Sequence, residues 1–392
     1  ESPPRDQTTT DIDDAVRDAD VVFSAIRVGG TAGRVADEQV ALDLGVLGQE
    51  TVGPGGLAYT MRTVPIMVQI ARRVARLAPN AWFVNFTNPA GAVTEAIAPV
   101  LPGRVVGICD TPIGLVKRAA RAVGMVGAPS SVDYVGLNHL GWLRGFTDDA
   151  GPRLGDVLAS DAALGSIEEA RLMGLDWVRG LGALPNEYLY YYYCAREAVA
   201  RARVGGATRG EFLARQQGEF YRDAARDPAA ASGAWTATRE AREATYMAEA
   251  REANEAREVK DLGGGYQQVA LELIAALAGG PTAELILNVP AGGLIPGLGE
   301  GAVVEIPCTV DASGVHPRPV APVSGHMLGL IQSVKAAEQL AIQAGLTGSR
   351  AAAWQAFAVH PLVDSIAVGR ALLDGYAHAH PELRHLGGAH TV

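Results

Sequence analysis

Residues 82–112, WFVNFTNPAGAVTEAIAPVLPGRVVGICDTP, decide the fold. Two short apolar runs, 82–86 and 105–108, predict buried strands, and each is followed by polar residues and then by a helix pattern. The second of these helices begins at Pro112, a residue that suits the first turn, and extends to about Val123. A strand and a helix in repeated succession are typical of a parallel sheet with crossover helices. The segment therefore predicts an α/β fold.

The same alternation extends upstream of this segment. A short helix that Thr10 can cap precedes an apolar strand at 21–26, a Gly-rich loop at 27–30 and a helix at about 62–77. Polar motifs follow the strands, at the carboxyl edge where open α/β sheets bind ligands. We therefore expect a Rossmann-like parallel sheet in which this edge carries the function.

The second half of the chain has a different pattern. It contains a strand-like stretch, several helical stretches and an aromatic run. In chain order these are a strand-like stretch at 130–146, the aromatic run at 188–193, an Ala/Glu/Arg-rich helix at 236–258, a strand at 303–310 and helices at 327–344 and 350–376. This pattern predicts an α+β domain, so we expect a Rossmann-like domain at 1–128 and an α+β domain at 129–392.

Composition excludes several classes of protein. The net charge is −10 and no basic stripe is present, which argues against a nucleic-acid surface. No apolar run reaches the roughly 18 residues needed to cross a bilayer, and no signal peptide opens the chain. The chain has three cysteines, and a sparse set of odd number does not build a disulfide framework. This cysteine content fits a reducing compartment. We expect a cytoplasmic protein with no membrane partner.

Cys109 and His139 are the candidate metal ligands. Cys109 follows a buried strand and precedes a helix start, where the helix dipole should lower its pKa and favour the thiolate. A thiolate and an imidazole together suit a borderline divalent metal with open positions. Taken alone, each residue is better explained as part of the core. The neighbouring Asp110 is either a general acid or the N-cap of the following helix.

Other polar residues are candidates with equally plain alternatives. Glu50 lies in a Gly-rich loop, Gly48-Gln-Glu-Thr51, and is either functional or an ordinary loop residue. Tyr188 belongs to the aromatic run and is either functional or part of the core. Arg27 and Arg34 flank the first Gly-rich loop, where they either clamp an anion or are solvated.

An ordered series of motifs carries a resemblance that no single motif carries. The series resembles glycoside hydrolase family 4, the NAD-dependent 6-phospho-glucosidases and related α-glycosidases. Its members are Arg27-Val-Gly-Gly30, Gly33-Arg34, Gly48-Gln-Glu-Thr51 with Gly55-Gly56, Asn85-Phe-Thr-Asn-Pro89, Gly107-Ile-Cys-Asp110 and Gly136-Leu-Asn-His139. The resemblance is strongest from Val21 to Trp142 and extends from about Thr10 to the C-terminal region.

The resemblance implies a redox-assisted elimination. NAD would take a hydride from C3 of the sugar, a metal such as Mn²⁺ would polarise the resulting carbonyl, and a tyrosinate would remove the C2 proton. The implied roles are Cys109 and His139 for metal, Tyr188 as base, Asp110 as acid, Glu50 as the group that tunes the base, Arg34, Asn88 and Arg209 for substrate, and Arg27, Asn85 and Thr87 for cofactor.

The sequence lacks a G-x-G-x-x-G turn between a strand and a helix, so the cofactor prediction rests on the resemblance, and we expect the first strand–turn–helix of the fold to be missing. The favoured function is a 6-phospho-β-glucosidase. Asp110 after the metal cysteine is more typical of the 6-phospho-α-glucosidases, which remain an alternative with unphosphorylated α-glycosidases. A dehydrogenase of the malate/lactate type, which shares the architecture, and a non-catalytic sugar-phosphate binding protein are further alternatives. Apolar helices in the second half favour a homodimer or homotetramer.

Overall fold

The computed structural model describes residues 6–204, 206–247, 250–251 and 265–387. Within these ranges the strands form one mixed sheet. They are β1 (Val21–Ser24), β2 (Trp82–Asn85), β3 (Val105–Gly107), β4 (Ser131–Leu137), β5 (Leu140–Asp148), β6 (Gly151–Pro152), β7 (Leu184–Pro185), β8 (Ala283–Pro290), β9 (Val303–Asp311) and β10 (Gly314–Pro317).

The first three strands are parallel, as the sequence predicts. Val22 pairs with Phe83, and Val84 pairs with Val106, so β1, β2 and β3 lie side by side with their carboxyl ends at one edge. The α/β Rossmann-like fold is therefore confirmed. Beyond β3 the sheet continues with antiparallel strands in the order β8, β9, β4, β5 and β6. Two strands from late in the chain thus lie between β3 and β4.

Helices cover both faces of the sheet, and within the described ranges none is long and apolar enough to cross a membrane. They are α1 (Ile12–Val16), α2 (Gly30–Asp43), α3 (Pro54–Leu77), α4 (Ala90–Ile97), α5 (Thr111–Ala122), α6 (Leu154–Ala159), α7 (Asp161–Gly165), α8 (Glu168–Met173), α9 (Leu175–Leu181), α10 (Tyr190–Tyr193), α11 (Ala195–Val204), α12 (Arg209–Arg226), α13 (Ala231–Ala244), α14 (Tyr266–Leu277), α15 (Gly325–Thr347), α16 (Arg350–Val359), α17 (Ile366–Ala379) and α18 (Arg384–Gly387).

Several boundaries differ from the sequence predictions for local reasons. Helix α2 was missed because glycines open it, and α3 begins eight residues before the predicted start because Gly55 and Gly56 hide its first turn. The single helix expected at 350–376 is two helices, separated where Pro361 follows His360. The predicted helix at 236–258 is α13, which ends at Ala244, and residues 252–258 lie outside the described ranges.

The cap predicted for the first helix is also wrong by one residue. The side chain of Asp11, not Thr10, accepts the backbone N–H of Asp13 at 2.8 Å. A carboxylate at this position satisfies a free helix N–H and also complements the helix dipole, so it is the stronger cap.

A buried ion pair joins the helices on one side of the sheet. The guanidinium of Arg62 on α3 donates from Nη1 and Nη2 to the two carboxylate oxygens of Asp37 on α2, at 2.7 and 2.5 Å. Its Nε donates to the carbonyl of Val28 at 3.1 Å, in the turn before α2. From the C-terminal region, His380 Nε2 lies 3.0 Å from Asp37, and the Tyr376 hydroxyl donates to the Asp37 carbonyl at 2.8 Å. The pair therefore connects α2, α3 and the C-terminal helices at one point.

Loss of this pair should destabilise the protein strongly. Arg62→Met leaves the Asp37 carboxylate buried with its main cationic partner removed, and we expect a loss of about 3–5 kcal/mol in the free energy of unfolding, measured by urea denaturation. Arg73→Met is the matched control on the same helix, because Arg73 is half exposed and its N–O distance to Asp13 is 3.4 Å. The control should lose less than about 1 kcal/mol. Equal losses in the two variants would contradict the role assigned to the buried pair.

Candidate active site

A cavity of about 370 Å³ lies at the carboxyl edge of β1, β2 and β3. The segments that follow these strands contribute one wall, the β4–β5 hairpin contributes His139, and the ends of α12 and α13 complete it. The charged and polar side chains on its surface are Arg27, Arg34, Glu38, Gln49, Glu50, Thr51, Asn88, Asp110, Thr111, His139, Glu187, Tyr188, Arg209, Arg242, Glu243 and Tyr246. Most of the sequence candidates therefore meet in one place.

The loop before α3 is held against the helix by direct backbone contact. A Cβ atom at Gly55 would lie 2.2 Å from the Gln49 carbonyl oxygen, and one at Gly56 would lie 2.4 Å from that of Thr51. No side chain larger than hydrogen fits at either position, which explains the two glycines of the motif. The contact fixes Glu50 and Thr51 at the cavity wall.

Glu50 is paired with two arginines. Its carboxylate lies 2.5 Å from Arg27 Nη1 and accepts from Arg34 Nη1 at 2.5 Å, while Arg34 Nε donates to Glu38 at 2.9 Å. Burial alone would raise the pKa of Glu50, but the positive charges of Arg34 and Arg27 outweigh burial and hold its pKa below the ordinary value. Glu50 is therefore an anion that orders both arginines at the cavity.

His139 lies in the tight connection between β4 and β5, with a positive φ of 63°. Its Nδ1 lies 2.9 Å from the Thr51 hydroxyl oxygen, and that hydroxyl donates to Gln49 Oε1 at 3.1 Å. Because the Thr51 proton is used by Gln49, His139 Nδ1 is the donor, which leaves the lone pair on Nε2. Burial lowers the pKa of His139 to about 4, so the imidazole is neutral at pH 7. This tautomer is the one suited to bind a metal through Nε2.

Cys109 is buried behind the cavity surface, with 2% of its area exposed. Burial raises the pKa of its thiol, and the charges of Glu305 and Asp110 raise it further. The expected lowering of the pKa by the helix dipole is therefore wrong, because desolvation and two carboxylates outweigh the interactions with Thr111. Within the described ranges, no three or more His, Cys, Asp and Glu side chains group as a metal site. A metal held by Cys109 and His139 would need further ligands from substrate or water.

Tyr188 is presented by a short 3-10 turn, Glu187–Leu189, directly after β7. The side chain of Asn186 accepts its backbone N–H at 3.0 Å and donates to the Tyr134 hydroxyl at 3.2 Å, which anchors the turn. The ring of Tyr188 stacks on His139, with centroids 3.8 Å apart and planes 8° from parallel. Burial raises the pKa of the phenol well above 10, and the charges of Glu187 and Glu50 act in the same direction. The charge of Glu50 thus acts on Tyr188, and the role of Glu50 in tuning this tyrosine stays a prediction.

Asp110, Asn88 and Arg209 also reach the cavity. Asp110 occupies the N-cap position of α5, but its side chain makes no capping hydrogen bond there. Arg209, at the start of α12, donates to the Thr245 hydroxyl at 2.5 Å and to the Arg242 carbonyl at 2.8 Å. Asp110 is thus placed beside the cavity without serving as a side-chain cap.

The side chains of Asn85 and Thr87 do not reach the cavity surface. Asn85 is fully buried and donates to the carbonyls of Thr87 and Ala90. The Thr87 hydroxyl lies 2.9 Å from that of Ser24 and accepts the backbone N–H of Ile26 at 3.0 Å. Both residues shape the loops after β1 and β2, and their direct contact with a cofactor stays a prediction.

Several cavity residues were not identified from the sequence, among them Thr51, Glu187, Arg242 and Tyr246, each of which contacts a candidate residue directly or lies beside one. Thr51 lies inside the motif that contains Glu50, and Glu187 directly precedes Tyr188, so proximity in the chain was a usable signal. Arg242 and Tyr246 lie at the end of an Ala/Glu/Arg-rich helix that looks solvent-exposed. Nothing in that stretch distinguishes them, because the fold alone brings the end of α13 to the cavity.

Comparison with known families agrees with this geometry. The family 4 glycosyl hydrolase model matches residues 3–125, and the model of the C-terminal domain of family 4 glycosyl hydrolases matches residues 134–363. Both models describe glycosyl hydrolases, so this α/β protein is a glycoside hydrolase. The chain belongs to family 4 of the glycosyl hydrolases.

Individual relatives are similar along nearly the whole chain. The 6-phospho-beta-glucosidase of Escherichia coli strain K12 is 32% identical over 368 residues, covering 91% of this chain and 77% of its own. The 6-phospho-alpha-glucosidase 1 of Lacticaseibacillus paracasei is 30% identical over 93% of this chain and 81% of its own. The crystal structure of the 6-phospho-beta glucosidase from Thermotoga maritima with manganese, NAD+ and glucose-6-phosphate is 25% identical, with a TM-score of 0.76 over 95% of this chain and 83% of that one.

The lowered pKa of Glu50 predicts a pH-dependent contribution to stability. A carboxylate whose folded-state pKa lies below its unfolded value of about 4.5 stabilises the fold above that pH and loses this effect as the pH falls through the lowered pKa. We therefore expect wild type to be more stable than Glu50→Gln at pH 7, by a margin that narrows below pH ~4.5. Urea denaturation across pH 3 to 7 measures the margin, and the exposed Glu219→Gln serves as control. A margin that widens toward low pH would contradict the assignment.

Proposed function

We propose that this protein hydrolyses 6-phospho-glucosides with NAD and a divalent metal such as Mn²⁺. One observation carries the proposal: the stack of His139 on Tyr188 lies in the same cavity as Asp110 and several arginines, at the carboxyl edge of a Rossmann-like sheet. Such an edge is where open α/β sheets bind cofactors and substrates. The relatives named above act on phosphorylated glucosides of both anomers, which supports the substrate class.

The residues present fit a divalent metal. The hydrogen bond to Thr51 leaves the lone pair of His139 Nε2 available. Cys109, which follows β3 and directly precedes Asp110, supplies a sulfur donor. A thiolate at Cys109 would raise the pKa of Tyr188, whose ring contacts His139, so the three side chains share one electrostatic environment. One sulfur and one nitrogen donor leave coordination positions open for a sugar, as a catalytic rather than a structural site requires.

The edge of the first three strands fits a nicotinamide. Ala25, Ile26 and Phe86 form an apolar part of the cavity wall next to the polar groups, which suits a flat aromatic ring with one reactive face. The turn at Gly29 and Gly30 has positive φ values of 83° and 59°, and no atom lies within 4 Å of where a Cβ at Gly30 would be. The backbone is therefore open to close approach by a cofactor at this point.

Positive charge at the cavity fits a phosphate group on the sugar. Burial lowers the pKa of Arg242, and the positive charge of nearby Arg34 lowers it further. Arg209 lies beside it, since its guanidinium donates to the Arg242 carbonyl. A phosphate dianion would relieve this repulsion and can accept several hydrogen bonds from guanidinium groups. We assign Arg34, Asn88, Arg209 and Arg242 to the phosphorylated sugar.

The reaction that this arrangement supports is an elimination followed by addition of water. When bound, NAD would accept and return the hydride of C3, and the metal would draw charge from the oxygen on that carbon. Tyr188, as the phenolate, then removes the C2 proton, and the protonated carboxyl of Asp110 gives its proton to the departing glycosidic oxygen. The water oxygen then bonds to C1 while the proton of that water passes to Asp110, and Tyr188 returns the proton to C2. Return of the hydride to C3 and of a proton to the oxygen on C3 would complete the cycle and recover the proton released when that hydroxyl was oxidised. Glu50 keeps Arg27 and Arg34 in place around the sugar.

Within this class we favour the β-anomer. The Escherichia coli 6-phospho-beta-glucosidase supports it, while Asp110 after Cys109 supports the α-anomer as the alternative. Parallel rate measurements on p-nitrophenyl α- and β-glucoside 6-phosphates decide between them.

The proposed function predicts strict dependence on both added groups. Hydrolysis of p-nitrophenyl glucoside 6-phosphate should require NAD and Mn²⁺ and should stop when the metal is chelated. Tyr188→Phe should abolish exchange of the C2 proton with solvent deuterium, followed by NMR, and lower kcat by at least about 100-fold, while Mn²⁺ binding is retained. Tyr221→Phe removes an exposed phenol and should leave both measurements unchanged. Undiminished hydrolysis after removal of metal and cofactor would contradict the proposal.

The contact between Thr51 and His139 predicts a loss of metal affinity on its removal. Thr51→Val deletes the acceptor that fixes the tautomer of His139, and groups in this position typically contribute about 10- to 100-fold to metal affinity. Titration calorimetry with Mn²⁺ measures the change. Thr63→Val is the control, because it removes a buried hydroxyl that has no hydrogen-bond partner among the described residues. Unchanged affinity in Thr51→Val would show that His139 does not depend on this contact.

A further inference from the structure

Tyr246 lies just beyond the end of α13 and directs its hydroxyl into the cavity. The hydroxyl oxygen is 2.6 Å from the phenol oxygen of Tyr188 and 3.1 Å from Glu187 Oε1. We propose that Tyr246 is a positioning residue, which fixes the Tyr188 oxygen for proton removal at C2. The inference rests on the proposed function, in which Tyr188 is the base, and it adds a residue from a distant part of the chain.

The two contacts of Tyr246 define where the Tyr188 oxygen lies. A phenol carries one proton, so Tyr246 donates to either Tyr188 or Glu187 at a given moment. When Tyr246 donates to Glu187, the Tyr188 hydroxyl donates to Tyr246. A hydrogen bond therefore joins the two phenol oxygens in both arrangements. His139 contacts one face of the Tyr188 ring. The ring is thus held by stacking on its face and by a hydrogen bond at its tip.

The backbone around Tyr246 is anchored on both sides. Arg209 binds the preceding turn through the Thr245 hydroxyl and the Arg242 carbonyl. On the following side, Arg251 Nη2 donates to the Tyr246 carbonyl at 2.5 Å, and the Arg251 side chain also donates to Glu168 Oε1 at 2.9 and 3.1 Å. Arg251 and Glu168 are both buried. Arg209 and Arg251, which lie in separate parts of the chain, therefore hold the Tyr246 backbone at a fixed position beside Tyr188.

This arrangement has a kinetic consequence. Misplacing a reacting atom by about 1 Å can cost about 100-fold in rate, while binding of the sugar depends on other groups. Tyr246→Phe keeps the ring and removes only the hydrogen bond. We expect kcat to fall about 10- to 100-fold with KM within about twofold of wild type. Proton removal should become more rate-limiting, so the isotope effect with substrate deuterated at C2 should rise.

The test compares wild type, Tyr246→Phe and Tyr193→Phe as full chains with Mn²⁺ and NAD present. Tyr193→Phe is the matched control, because its hydroxyl accepts a hydrogen bond from Trp142 at 2.9 Å but is not part of the cavity surface. Rates with protiated and C2-deuterated p-nitrophenyl glucoside 6-phosphate give kcat, KM and the isotope effect, and Mn²⁺ titration verifies that each variant is folded. The control should match wild type in all of them.

The outcomes separate this inference from the proposed function. A lower kcat with a larger C2 isotope effect in Tyr246→Phe alone supports the positioning role. An unchanged kcat and isotope effect would overturn the positioning role. A higher KM or a weaker metal affinity without a change in the isotope effect would overturn it too. If wild type shows no C2 exchange and no C2 isotope effect, the proposed function fails and the inference fails with it.

Discussion

The buried pair of Arg62 and Asp37 is the constraint on which the cavity depends. Both side chains are fully enclosed, so neither charge can be solvated if the other is lost. The pair fixes the spacing between α2, which carries Arg34 and Glu38, and α3, which follows the loop that carries Glu50. Arg62 also holds the Val28 carbonyl, directly before the Gly29–Gly30 turn. One wall of the cavity is therefore set by an interaction that takes no part in the chemistry.

Within the cavity, burial and neighbouring charges set the pKa of each reactive group. Burial keeps His139 neutral and raises the pKa of both Cys109 and Tyr188, so these groups favour their uncharged forms in the protein alone. Glu50 is the opposite case, because two arginines keep it ionised. A divalent cation is the one kind of ligand that would reverse the balance for the thiol, which is deprotonated when it coordinates a metal. The site is thus arranged so that its reactive forms depend on what binds there.

Most of the fold and most of the cavity could be predicted from the sequence, but for different reasons. The first three strands carry short apolar runs, and motifs directly after the second and third of them placed Asn88 and Asp110 correctly at the sheet edge. Helix α2 was missed because glycines open it, and the start of α3 was missed because Gly55 and Gly56, which close backbone packing requires, lower the helix signal. Tyr246 could not be predicted, since it reaches the site through tertiary contacts of Arg209 and Arg251 that leave no local pattern. The domain division and the oligomeric state stay predictions.

The order of the strands has a consequence for the newly made chain. Cys109 follows β3 and His139 precedes β5, only 30 positions apart in sequence, yet β8 and β9 lie between β3 and β4 in the sheet. These two strands end at Asp311, so the strands that carry the thiol and the imidazole cannot take up their final spacing until the ribosome has added more than 170 residues beyond His139. A nascent chain that has emerged only through the hairpin therefore has both donors but no site. If Cys109 and His139 bind a metal as proposed, translation delays metal binding until the sheet can form.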